Sequence, residues 1–412
     1  MENAGMTCGI DWAENHHDIA LVDADGRVIT KRRVGADANG FSELLGLIAE
    51  HGGDPESTPI AIETDKNLFV VALAGAGFTV YPVNPRALAR YRERHGQAGG
   101  KSDPADAIAL AHVLRTDKHL HRPLPANSNG ALRVKALARQ HQEAIWGLHQ
   151  TVSRLRSVLL EFYPQAIKAF PNLQHYAATA VLTAVPTPAA GQRLTSRRIE
   201  AIFRRVGRRN DPALVERIRA DLRAPALRQS DPIETALGSV VVGLLRIVEA
   251  MRDAVEELER SLTTELAQHP LAPILQSAPG IGTVLAARIL AEIGDDRDRF
   301  TTAAGMRAFA GTAPVTRASG RSRYVKARKV RNKRLGDACH WWAFAALTRS
   351  PAAHAHYDKR RAASDHHNAA LRNLANKLLG NLWWCLQTAN SGTKKPPGHT
   401  TRWSCYRPPL DN

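Results

Sequence analysis

The sequence predicts an α/β domain followed by a longer all-α region. Short β-type runs separated by polar turns fill the first hundred or so residues, and apolar residues spaced three and four apart dominate the middle. A Gly-punctuated helical module with a dense basic run follows. The expected division is 1–122, a mixed-sheet domain; 130–270, a helical, coiled-coil-like region; 271–390, a helical domain; and 391–412, a disordered Pro-rich tail. A single core stops growing at roughly 250–300 residues, so 412 residues imply more than one.

Within the first segment, residues 7–12, 17–22 and 28–33 read as three strands joined by the turns AENHH and DADGR, an antiparallel meander. A helix over 41–51, a buried strand over 59–63 (PIAIE), a helix over 68–76, a strand over 79–83 and a basic helix over 85–94 follow. The right-handed crossover rule returns the fourth strand to the side of the first. Three antiparallel strands followed by βα units form a ribonuclease-H-like mixed sheet. Residues 95–102 (HGQAGGKS) are Gly-rich and expected to be mobile, and Ser102 is suited to cap the helix that begins DPADAIAL.

Beyond the linker at 123–130 the chain turns helical. Ile145, Leu148, Val152, Leu155, Leu159 and Phe162 follow the a/d spacing of a helical seam, as do Leu237, Val241, Leu244, Val248, Met251, Val255, Leu258 and Leu262. Packing within one chain and pairing between two chains both satisfy this pattern. Between the stripes, PTPAAG at 186–191 breaks the chain and SRRIEAIFRRVGRR forms a basic helix.

Lys plus Arg number 56 against 39 Asp plus Glu, a net charge of +17, while 44% of the residues are hydrophobic. A folded chain with that field calls for a polyanionic partner, and nucleic acid fits best. No run approaches the ~18–20 apolar residues of a spanning helix, so no membrane role is expected. Cys8, Cys339, Cys385 and Cys405 form no C-x-x-C pair, which argues against a zinc module and a disulfide framework. The opening MENAGMTCGIDW lacks a signal-peptide pattern. A cytoplasmic, nucleoid-associated protein is expected.

The candidate chemistry rests on four acids. Asp11 closes the first strand and Glu63 the fourth; Asp103 and Asp106 lie three apart in the first turn of a helix and share a face. Four carboxylates about 4 Å apart would repel by roughly 4 kcal/mol per pair at an effective dielectric near 20. Hard divalent cations offset that, with Mg²⁺ the default, and two such ions serve phosphodiester chemistry. Alternatively, Asp103 and Asp106 are acids favourably placed at a helix N-terminus and Asp11 is a turn residue.

The runs GIDWAENHHDIALVD, the ETD after a buried strand, and KSDPADAIAL after a Gly-rich loop resemble the N-terminal domain of the DEDD insertion-sequence transposases, itself similar to RuvC-type junction resolvases. That resemblance places the family's catalytic, metal-holding set on Asp11, Glu63, Asp103 and Asp106. It implies a Mg²⁺-dependent DNA recombinase. The resemblance covers about residues 6–165 and 272–390.

In the last segment, SAPGIGTVLAARILAEIGD carries the P-G-I-G turn of a helix-hairpin-helix, a phosphate-facing helix start, or else a Gly-rich turn between packed helices. An irregular basic stretch follows. Arg317, Arg321, Arg323, Lys326, Arg328, Lys329, Arg331, Lys333 and Arg334 stand in a run without a single acid between Asp298 and Asp337, a candidate nucleic-acid interface. Helices over 337–347 and 369–387 close the segment. A loop serine such as Ser319 is by itself most often inert. The resemblance to the family's C-terminal transposase domain changes that, because Ser319-Gly320 occupies the place of its Ser-Gly nucleophile. It further implies a covalent phosphoserine, active halves contributed by different protomers of a dimer or tetramer, and guidance by an element-encoded RNA pairing with donor and target DNA. Arg321 stands where the family has another glycine, a glycine expected near Arg331 is missing, and Ser322 is an alternative nucleophile. A RuvC-like nuclease using water, with the C-terminal half as a DNA clamp, is the competing function.

Overall fold

The computed structural model describes residues 5–95, 102–209, 211–320 and 322–388. The Gly-rich segment at 96–101, Arg321, Cys405 and the tail from 391 lie outside the described residues. The chain divides into two compact units, Met1–Ala126 and Asn127–Asn412.

The first unit is built on a five-stranded mixed sheet. Its strands are β1 (Thr7–Trp12), β2 (His16–Val22), β3 (Val28–Gly35), β4 (Ile60–Ile62) and β5 (Val80–Pro82), in the order β3-β2-β1-β4-β5. β1, β2 and β3 form the expected antiparallel meander, and β4 returns parallel to β1. The helices are α1 (Ala38–Glu50), α2 (Leu68–Gly75), α3 (Pro85–His95) and α4 (Asp103–Asp117). Cys8 and Ile10 of β1 join a core with Leu44 and Leu47 of α1 and Phe69 and Leu73 of α2. The alternate residues, Thr7, Gly9 and Asp11, point to the other face.

α4 crosses that other face. Thr7 Oγ1 donates to the Ala111 carbonyl oxygen at 3.2 Å, and a Cβ on Gly9 would stand 2.0 Å from the Ala107 carbonyl oxygen. Two strand residues advance roughly 6.6 Å and one helical turn roughly 5.4 Å, so the match of 7 with 111 and 9 with 107 continues to 11 with 103. Glycine at position 9 lets the helix lie directly on the strand. Ser102 stands at the N-cap of α4 but its side chain makes no capping bond; Pro104 in the first turn and the Asp106 N–H to Ser102 carbonyl bond at 3.0 Å set the helix start.

The second unit is almost wholly helical. Its elements are α5 (Asn129–Phe162), α6 (Pro164–Ala169), α7 (Tyr176–Ala184), α8 (Pro188–Gln192), α9 (Ser196–Arg205), α10 (Pro212–Arg223), α11 (Asp231–Ala267), α12 (Ala272–Gln276), α13 (Thr283–Ile293), α14 (Ala303–Ala310), β6 (Val315–Ser319), β7 (Ser322–Lys326), α15 (Lys333–Arg349), α16 (Pro351–Ala362) and α17 (His367–Thr388). α5 and α11 pack antiparallel within the chain. Arg133 meets Glu265 at 2.8 Å, Thr151 Oγ1 donates to Met251 Sδ at 3.5 Å, and Leu155 and Leu159 share a core with Val241 and Leu245. The inserted helices α6–α10 complete that core at one end of the pair, while Val134, Ala138, Leu262 and Leu266 join α12, α13, α15 and α17 at the other.

Two local expectations are corrected here. The break at 186–191 contains the short helix α8, because the Thr187 side chain accepts from the Ala190 N–H and Pro188 fits the first turn. The stretch expected to be irregular is a two-stranded antiparallel hairpin, β6 with β7.

Candidate carboxylate centre and basic hairpin

Strand register assembles one row of charges across the sheet. Asp11 is paired with Asp18 on β2, and Asp18 with Arg33 on β3. Ile10 pairs with Ile62, so the parallel register continued by one residue sets Glu63 beside Asp11. The row therefore reads Arg33, Asp18, Asp11, Glu63. The first turn of α4 brings Asp103 and Asp106 against it.

Electrostatics report the crowding. Burial, then the charges of Glu63, Asp106, Asp103 and Asp18 in falling order, push the Asp11 carboxyl up to about 6. The chain partly relieves this with its own cations. Arg33 chelates buried Asp18 at 3.2 and 2.8 Å and lies 3.9 Å from Asp103. Arg92 of α3 hydrogen-bonds buried Asp106 in an ion pair, and Glu63 and Asp11 also attract it. His16, Asp18 and Asp103 bring one potential ligand atom each within 4.8 Å of one another.

All four predicted acids thus belong to one face of the first unit. Sequence reading passed over His16, Asp18, Arg33 and Arg92. The signal for Asp18 and Arg33 was present, since an antiparallel pairing that aligns 7 with 22 also aligns 11 with 18. Arg92 gave no such signal, because its contact depends on how α3 packs.

Ser319 ends β6 at the tip of the hairpin, which is exposed at every described position except half-buried Val315. Gly320 follows with φ +55°, a conformation glycine adopts freely, and lets the chain reverse between Ser319 and Ser322. Alternation places Arg317 and Ser319 on one side with their partners Tyr324 and Ser322, and Arg323 on the other with Ala318. The Ser322 hydroxyl donates to the Ser319 carbonyl oxygen at 3.1 Å. Ser319 Oγ has no hydrogen-bond partner among the described residues.

The rest of the basic set divides by environment. Lys326 lies over the Tyr324 ring at 5.5 Å, and Lys329, Arg331 and Lys333 are exposed. Arg334 is held by its own chain, bonded to Glu143 and to Gln142 at 3.1 Å and lying 5.2 Å from the Trp146 ring centroid. Arg321 lies outside the described residues.

The foot of the hairpin is anchored. Buried Glu292 of α13 accepts from Nε and Nη2 of Arg139 at 2.8 and 2.9 Å and from the Asn332 amide at 2.7 Å. Asn332 in turn caps α15, accepting from the Leu335 N–H at 2.9 Å. In the 279–282 turn, Gly280 has φ +82° and a Cβ there would sit 2.6 Å from the Ala346 nitrogen, so close packing on α15 requires this glycine. Trp342 donates to the Pro279 carbonyl oxygen at 3.0 Å.

Residues 8–164 match a family profile described as a transposase, of the DEDD type, and residues 272–358 match the profile of the transposase IS116/IS110/IS902 family. The "mini-circle putative transposase for IS117" of Streptomyces coelicolor is 47% identical over 92% of this chain and 94% of that protein. The chain belongs to the IS116/IS110/IS902 transposase family. More distant likenesses include the IS900 uncharacterized 42 kDa protein of Mycobacterium paratuberculosis, 27% identical over 92% of this chain and 95% of that one. This transposase is by family a DNA-cleaving, strand-transferring enzyme. Its first profile match spans the four acids, and its second spans Ser319 and the basic hairpin. No described helix is long and apolar enough to cross a membrane.

Proposed function

We propose that this transposase cuts and rejoins DNA through Ser319 as nucleophile, served by a Mg²⁺-dependent centre of Asp11, Glu63, Asp103 and Asp106. The observation that carries the reading is the crowding of those acids around Asp11, which raises its pKa to about 6 by burial and by its acidic neighbours. A donor set of carboxylate oxygens suits a hard divalent ion, and relief of their repulsion would favour its uptake. Such an ion supplies Lewis-acid stabilisation of charge at a phosphodiester. Asp11 and Glu63 hold their side of the site from the sheet, and Asp103 and Asp106 theirs from α4.

In the cleavage step the Ser319 Oγ–P bond forms as one P–O bond to deoxyribose breaks. The serine proton passes to water and the departing deoxyribose oxygen gains one. The phosphodiester becomes a phosphoserine ester, and attack by a deoxyribose hydroxyl reverses the exchange to rejoin strands. Arg317, Arg321, Arg323, Lys326, Arg328, Lys329, Arg331, Lys333 and Arg334 form the nucleic-acid face, in which Arg334 acts mainly by bracing the hairpin. The 279–282 turn adds a helix start facing a phosphate. The enzyme works as a homo-oligomer, a dimer or tetramer; the seams of α5 and α11 are taken up by their packing on each other within the chain, so pairing between copies uses other surfaces. An RNA encoded by its own element guides it to donor and target DNA. The net charge of +17 suits two polyanions at once.

A RuvC-like nuclease that uses water is the second reading. It draws support from the acid cluster's being assembled within the first unit alone. Strand cleavage by Ser319→Ala and Ser322→Ala decides between them. Loss above 1,000-fold in Ser319→Ala, with Ser322→Ala near wild type, is expected for the serine reading, whereas undiminished cleavage in both supports water. Sequencing RNA co-purified with the protein tests the guide: one short species from beside the gene is expected, and a random cellular sample contradicts it.

A further inference from the structure

An open cleft of about 740 Å³ lies at the foot of the hairpin, between the end of α14, the chain leaving β7, the start of α15, α17 and Trp146 of α5. Its size falls in the ~300–1,000 Å³ range of sites for small organic groups, too small for a double helix. We propose that this cleft receives a single unpaired nucleotide, its phosphate on Arg328, Arg331 and Arg372 and its base against Trp146. The proposal rests on the nucleic-acid reading of the hairpin and names a distinct subsite and ligand for it.

The cleft is constructed around its cations. Arg331 lies along a wall that only glycines permit: a Cβ on Gly311 would meet Arg331 Cδ at 2.1 Å, and one on Gly336 would meet Arg331 Nε at 3.3 Å. Gly311 also takes φ +74° as it ends α14. Arg328 Nε is buried with no hydrogen-bond partner among the described residues. A buried donor without an acceptor is costly, and an incoming phosphate oxygen would satisfy it. Arg372 reaches the cleft from α17, and His340 and two lysines add to the lining. One carboxylate, Asp337, which accepts from Gln142 at 3.0 Å, faces the lining Arg328, Lys329, Arg331, Lys333 and Arg372, so cations outnumber it.

Trp146 supplies the second chemistry. It lines the cleft and is 41% exposed as a residue, and the Arg334 guanidinium lies over one face of its ring at 5.2 Å from the centroid, which leaves the other face for a base. An aromatic ring beside clustered arginines is the combination that binds unstacked bases without sequence preference. A paired base has both faces covered by its neighbours, so the ring selects an unpaired one. The first turn of α15, capped by Asn332, adds partial positive charge at the same place.

The test uses the full-length protein and fluorescence anisotropy with a labelled ten-nucleotide oligo(dT), a labelled oligo(U) of equal length and a labelled blunt duplex. In Arg372→Ala and Trp146→Ala the ratio of single-strand to duplex affinity is expected to fall at least tenfold, while Trp146→Phe, which keeps a ring, retains most of it. A fall with oligo(dT) or with oligo(U) supports the proposal and tells which strand the cleft takes. A ratio unchanged within twofold in both alanine variants, for both single strands, overturns it. Arg323→Ala separates this from the underlying reading: if it weakens duplex binding while the cleft variants leave the ratio unchanged, the cleft proposal alone falls. Wild-type protein that binds none of the three probes removes the hairpin interface as well.

Discussion

Asp11 concentrates the electrostatics of the first unit in one side chain. Its folded pKa of about 6 stands above the ordinary 3.8 because burial and four acidic neighbours oppose ionisation. The folded state therefore binds the extra proton between about pH 4 and 6, so in metal-free protein this residue's contribution to stability falls as pH rises through that window and is level above it. Metal binding runs the other way, because the proton must leave first. Titration with Mn²⁺ by calorimetry is expected to show affinity level above pH 7 and falling by about tenfold per unit below pH 6. Arg92 is the second residue-scale lever. It neutralises Asp106 from α3, as a cation would. Arg92→Ala is expected to raise Mn²⁺ affinity by about tenfold while lowering the melting temperature of the metal-free protein; unchanged affinity would show that Arg92 does not compete for the acids.

At the scale of elements, the acids meet because α4 lies on β1. The approach depends on Gly9, whose place a methyl group would contest with the Ala107 carbonyl oxygen. Gly9→Ala is expected to displace α4, lower stability by about 1–3 kcal/mol in denaturant unfolding and weaken Mn²⁺ binding although no ligand is changed. Glu292 plays the corresponding part in the second unit, tying α5 to the cap of α15 and so to the hairpin's foot. Glu292→Ala removes the acceptor that Arg139 and Asn332 share and is expected to cost about 3–5 kcal/mol in chemical unfolding, whereas Arg323→Ala on the exposed strand costs under 0.5.

These elements were unequally legible. The meander follows from strand patterns and tight turns, the return of β4 beside β1 from the crossover rule and the two long helices from their a/d spacing, and the family motifs carried Asp11, Glu63, Asp103 and Asp106. The hairpin was hidden by its charge, although Val315, Thr316, Tyr324 and Val325 around a Gly-initiated turn are strand signals. Asp18 and Arg33 needed the register to be followed one strand further. Arg92, Glu292 and Arg372 act through tertiary packing between elements remote in sequence, which no local pattern encodes.

For the whole molecule, the chain joins a sheet unit rich in converging acids to a helical unit that carries an exposed basic hairpin, and membership in the transposase family gives both one substrate, DNA. A carboxylate centre near a polyanion needs cations, and a hairpin of arginines holds phosphate; neither by itself says which atom attacks. The most direct measurement is to incubate the protein, with its co-purified RNA, with cleavable DNA and Mg²⁺, denature it, digest the nucleic acid and map any nucleotide-bearing peptide by mass spectrometry. A nucleotide on Ser319, lost in Ser319→Ala and in Asp11→Asn, is the predicted result; cleaved DNA with no adduct, or with one on Ser322, would contradict the account.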